Sequence, residues 1–139
     1  VGCIEYRGGG SEGTMSYAPG GMGVYFLNFG LIGAPLDPSK PQVLIYEPRG
    51  NELVLAAAEW FVPVEAAGTV RPTIFGRELD GPMEGHHPLM PEGLHHYDLH
   101  VWLWKDNPGG VFSPTNPAVT CPADGYSFTE DNPRMVTPD

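Results

Sequence analysis

A chain of 139 residues is one domain's worth of sequence, and its formal net charge is −10. Its 19 glycines and 16 prolines make up about a quarter of it and charged residues only 17%, a composition that excludes a helical bundle, a coiled coil and a transmembrane-helix protein. Seventeen acidic side chains against seven basic ones repel phosphate backbones and anionic surfaces, so neither nucleic acid nor membrane insertion is expected.

Residues 7–23, with seven glycines and one proline, show no periodicity and read as a loop. Val24 to Phe29 is a short run of aromatic and β-branched residues without a helical stripe, which predicts a buried strand. Residues 36–41 carry two prolines and form a rigid turn. Gln42 to Glu47 and Glu52 to Val62 are the clearest pair of strands. Gly50-Asn51 between them suits a tight hairpin. Ala56-Ala57-Ala58 would tolerate helix, but Val54, Trp60, Phe61 and Val62 around it favour strand. Residues 63–95 are mostly loop, with a short strand near Thr73 to Phe75. Tyr97 to Lys105 is the last strong strand, stopped by Asp106-Asn107-Pro108-Gly109-Gly110. The segment 122–139 is a polar tail. The expected fold is mainly β, a small antiparallel barrel or sandwich with long Gly/Pro-rich loops, in a single domain spanning 1–139.

The two cysteines, Cys3 and Cys121, are spaced wrongly for a CxxC redox motif or a zinc ribbon. One disulfide near the chain ends is the simplest reading; two free thiols are the alternative. A bond closing so long a loop contributes about 4–5 kcal/mol on a chain-entropy model and persists only in an oxidising compartment. Secretion or a periplasmic location is therefore expected. The chain starts at Val1, as a processed mature protein or a trimmed one would.

Gly9-Gly10-Ser11-Glu12-Gly13 matches a G-x-S-x-G nucleophile turn literally, but the strand before it, the helix after it and the large α/β sheet are missing. The histidines carry more information. All five (His86, His87, His95, His96 and His100) lie within 15 positions. Clusters of imidazole with carboxylate hold zinc, copper, iron or manganese. Strand alternation puts His96, Asp98 and His100 on one face and Tyr97, Leu99 and Val101 on the other. In a straight strand the Cα atoms of His96 and His100 stand roughly 13 Å apart, near the limit of two imidazoles reaching one ion. Glu59, a carboxylate inside an apolar run, is expensive there unless paired or bound to metal; an edge-strand glutamate facing solvent is its alternative. The expected site is one divalent transition metal (Zn, Cu, Fe or Mn) on Glu59, His96 and His100. His86 or His87 supplies a fourth ligand from the loop. Asp98 orients a ligand histidine, and Tyr25 stands nearby as a proton donor. Met15, Met22, Met83 and Met90 are candidate soft ligands for copper or, more simply, gap fillers.

Gly21-Met22-Gly23-Val24-Tyr25, Leu44-Ile45-Tyr46-Glu47-Pro48, Ala58-Glu59-Trp60-Phe61 and His96-Tyr97-Asp98-Leu99-His100-Val101-Trp102-Leu103-Trp104-Lys105, followed by Asn107-Pro108, Asn116-Pro117 and Cys121, resemble a group of exported bacterial proteins with no settled activity. The likeness covers nearly the whole chain and implies export and the disulfide. In that group a histidine commonly stands where this chain has Tyr25. Cupin metal sites, which gather histidines and a glutamate in a small β-barrel, are a remoter analogy.

Two functions compete at this point. One is an extracellular metal-binding β protein, in its enzymatic form a small His/Glu metalloenzyme activating water or dioxygen. The other is a non-catalytic surface or matrix protein that binds a partner, a small molecule, a glycan or itself through exposed Tyr6, Tyr17, Trp102 and Trp104. Burial of the aromatic face separates them.

Overall fold

The computed structural model describes residues 2–86, 89–122, 127–130 and 132–136. The protein is mainly β. Its strands are β1 (Cys3–Tyr6), β2 (Gly20–Leu27), β3 (Val43–Arg49), β4 (Glu52–Pro63), β5 (Thr73–Ile74), β6 (Arg77–Glu78), β7 (Asp80–Met83), β8 (His96–Val101) and β9 (Ser127–Glu130). Seven of them form one curled half-barrel sheet in the order β7-β8-β4-β3-β2-β1-β9, and β5 and β6 make a separate small hairpin. One short helix, α1 (Val64–Ala67), follows β4. No helix among the described residues is long and apolar enough to cross a membrane.

The β3–β4 hairpin forms where the Gly50-Asn51 turn predicts it: Arg49 pairs with Glu52, and Gly50 takes a φ of 59°. The alanine run is strand, its three residues buried. A register shift sets Ala56 outside the β3 ladder, and its carbonyl accepts from Trp104 N–H at 3.1 Å instead.

Three differences from the sequence expectation have physical causes. The strand expected over Val24–Phe29 instead spans Gly20–Leu27, inside a glycine run that reads as loop. A Cβ on Gly20 would lie 2.5 Å from the Asn116 carbonyl oxygen, and one on Gly21 2.6 Å from that of Val119, so these glycines admit a crossing segment. β8 stops at Val101, short of Lys105, because Trp102 N–H turns to the Val111 carbonyl at 2.9 Å. Within the polar tail, Ser127–Glu130 is a strand pairing parallel to β1. Sequence polarity does not reveal a strand that is held by backbone bonds at a sheet edge.

Alternation gives the sheet two apolar faces. Tyr97, Leu99 and Val101 of β8 pack with Ala58, Trp60 and Val62 of β4, Ile74 and Leu79. On the opposite, concave face lie Met22, Tyr25, Val43, Ile45, Ala57 and Phe61, with Tyr6, Tyr17 and Trp102. Cys3 and Cys121 are joined, their Cα atoms 5.7 Å apart, tying β1 to the loop before β9. The bond fits an oxidising location.

Candidate metal centre

β4 and β8 are antiparallel neighbours whose register sets Glu59 opposite His100 and Phe61 opposite Asp98. Opposed residues share a face, so the polar positions of β8 and Glu59 of β4 meet under the concave side. Burial there is complete: Glu59, His86, His96 and His100 have no exposed surface and Asp98 has 1%. Glu59 lies within the sheet, paired to both Val43 and His100, so the edge-strand alternative does not hold.

Five ligand-type side chains divide into two groups that share Asp98: His86, His96 and Asp98, and Glu59, Asp98 and His100. Within each group one ligand atom per residue lies within 4.8 Å of the others. In the first, Nε2 of His86 and Nε2 of His96 both stand 3.1 Å from Asp98 Oδ2. The far nitrogens are held from outside: His96 Nδ1 is 3.0 Å from the Leu94 carbonyl, and His86 Nδ1 is 3.0 Å from the Tyr6 hydroxyl. A carbonyl only accepts, so His96 donates from Nδ1, and in the neutral ring this turns the Nε2 lone pair toward Asp98. Metal-ligating histidines are oriented in this way. Phe61 stacks on the His96 ring at 4.3 Å with an interplanar angle of 17°.

In the second group His100 Nε2 lies 2.6 Å from Glu59 Oε1 and 3.0 Å from the Tyr25 hydroxyl, while its Nδ1 is 4.0 Å from Asp98 Oδ1. The close approach to Glu59 is off the line of a hydrogen bond. Both Glu59 oxygens, Asp98 Oδ1 and His100 Nδ1 are buried without a hydrogen-bond partner. Four such atoms in one spot are costly unless something charged joins them.

The electrostatics reflect that crowding. Burial alone would push the His100 imidazole down; Glu59 above all, then Asp98 and Asp80, reverse this and raise it to about 9. His96 is likewise raised, Asp98 overcoming the effect of burial. Asp98 is held well below the carboxylate range: burial opposes this, but His86 and His96 outweigh it. Burial, and then the Glu59 charge, keep the Tyr25 phenol neutral far above its ordinary value.

The site expected from sequence placed Glu59, His86, His96 and His100 around one ion, with Asp98 and Tyr25 behind them. In the structure the four fall on the two sides of Asp98, which touches both histidines of the first group directly. Tyr25 contacts His100 and points its hydroxyl to Met22 Sδ at 2.8 Å. His95 is exposed, away from the others, and His87 lies outside the described residues. Met83 Sδ accepts from the Tyr17 hydroxyl at 3.3 Å and Met22 Sδ from that of Tyr25. Tyr6 and Phe61 hold two of the histidines, and neither role has a sequence signal beyond an aromatic at an inward strand position. Of the aromatics proposed as a binding surface, Tyr6, Tyr17 and Trp102 are buried and only Trp104 is exposed. Comparison with protein-family models, with curated proteins and with solved structures finds no match to this chain.

Proposed function

We propose that the protein binds a divalent transition-metal ion in the oxidising environment outside the cytoplasm, with His86, His96 and Asp98 as the primary ligands. The observation that carries this reading is the convergence of two imidazole Nε2 atoms on Asp98 Oδ2 at 3.1 Å each, with no exposed surface on either ring. Tetrahedral ligands at about 2.0–2.1 Å from zinc stand about 3.3 Å from one another, close to these spacings. The donors are imidazole and carboxylate. Both cysteines are in the disulfide, so thiolate chemistry is absent among the described residues, and the set suits Zn, Mn, Fe or Cu. Because the ligands are sealed from solvent, binding is the reading the geometry supports.

The test is melting of the chelator-treated protein with and without added Zn(II). Ion at about 100 times Kd should stabilise by about 2.7 kcal/mol, or roughly 10 °C for a chain of this length. His86→Ala should cut the gain sharply, and His95→Ala should leave it intact. Equal melting temperatures with and without metal would sink the reading.

A further inference from the structure

We infer that Asp98 bridges two cations, the second held by Glu59, Asp98 Oδ1 and His100, so that the centre is dinuclear. This rests on the metal reading above and extends it to the atoms which that reading leaves unused.

The first group engages only Oδ2 of Asp98. Its Oδ1 is buried with no hydrogen-bond partner, and so is His100 Nδ1, 4.0 Å away. That gap is too long for a hydrogen bond and sits at the wide end of the spacing of two ligands on one ion, which runs from roughly 3.3 Å for a tetrahedral pair to about 4 Å for a trans pair. A Glu59 oxygen lies within 4.8 Å of both partners in that group, and neither Glu59 oxygen has a hydrogen-bond partner of its own. Two carboxylates and an imidazole, each at least 99% buried, therefore bring ligand atoms within 4.8 Å of one another, sealed from solvent. With Nδ1 as ligand, the outer Nε2 of His100 faces Tyr25 at 3.0 Å and Glu59 Oε1 at 2.6 Å, outer partners that fix a ligand ring and leave Glu59 Oε2 for the ion.

The two groups are separate clusters with Asp98 as their common member. A carboxylate using one oxygen for each of two ions sets them at the separation of about 3.5–4 Å typical of two-metal centres. Asp80, opposite Asp98 in the β7–β8 register, adds a third carboxylate beside the pair. The Asp80, Asp98 and Glu59 charges would offset three of the four positive charges of such a pair.

The experiment is stoichiometry: chelator-treated protein is loaded with Zn(II) alone, passed through gel filtration and assayed for bound metal. Two equivalents are expected in the wild type, one in Glu59→Gln and one in His86→Ala, with His95→Ala unchanged at two. One equivalent in the wild type, kept in Glu59→Gln and lost in His86→Ala, overturns the second site and leaves the first standing. One equivalent lost in Glu59→Gln but kept in His86→Ala refutes both the pair and the placement of the first ion. No bound metal refutes both readings. A drop to one in His95→Ala puts the second ion on the surface and overturns the proposal. If Glu59→Gln does not melt cooperatively, His100→Gln replaces it and the wild-type count still decides.

Discussion

Raising the pH of the chelator-treated protein from 6 to 10 should destabilise it through His100. An unfolded imidazole titrates near 6.5, whereas His100 in the folded chain is raised to about 9 by Glu59, with Asp98 and Asp80 behind it. A group whose folded value lies above its unfolded one contributes stability that is fully present below pH 6.5 and lost as the pH rises through 9. At 1.36 kcal/mol per pH unit the loss is about 3 kcal/mol, a melting temperature lower by roughly 10 °C. The assay is urea unfolding in chelator at half-unit pH steps. Glu59→Gln removes the main charge facing the ring while keeping its shape, so its stability should fall less steeply over the same range, His96 and the remaining Asp98 and Asp80 charges still contributing. Groups titrating elsewhere affect both proteins alike, and the difference between the two curves isolates the pair. A wild-type curve that is flat from pH 6 to 9, or a variant that falls as steeply, would refute the reasoning.

Two further outcomes follow from packing and covalent structure. Phe61→Ala removes the ring stacked on His96. It should cost about 3–5 kcal/mol in unfolding free energy, and the freed imidazole should bind Zn(II) more weakly in a competition titration with a chromogenic chelator. Reduction of the Cys3–Cys121 bond, which spans a sequence separation of 118, should lower the melting temperature by roughly 15 °C on the chain-entropy estimate. Non-reducing mass spectrometry should show the untreated protein two hydrogens lighter than its residues.

The central strands were legible because β3, β4 and β8 carry side-chain patterns that a buried sheet demands. Glu59 was legible for the opposite reason, as a charge that an apolar strand would not tolerate idle. The β2 start and β9 were hidden, since close backbone approach selects glycine and edge pairing needs no apolar side chain. Alternation correctly put His96, Asp98 and His100 on one face, and the strand-length estimate warned that His96 and His100 would strain to meet at one point. The structure meets that limit by placing Asp98 between them, a solution that depends on His86 arriving from outside the strand. Nothing local to residue 86 encodes that arrival.

The pairing of Glu59 with His100 on neighbouring strands has a consequence for how this chain tolerates insertion and deletion. Side chains on a strand change face with every residue, so one residue inserted within β8 between His96 and Tyr97 would keep the strand but invert its pattern from there on. Tyr97, Leu99 and Val101 would then turn to the concave side, and Asp98 and His100 would be carried to the opposite apolar face. The same insertion in the Asp106–Gly110 turn would leave the β4–β8 register untouched. A length change in the Asp106–Gly110 turn therefore leaves the site alone, while the spacing from Glu59 to the hairpin and from His96 to His100 is locked to the parity of the sheet.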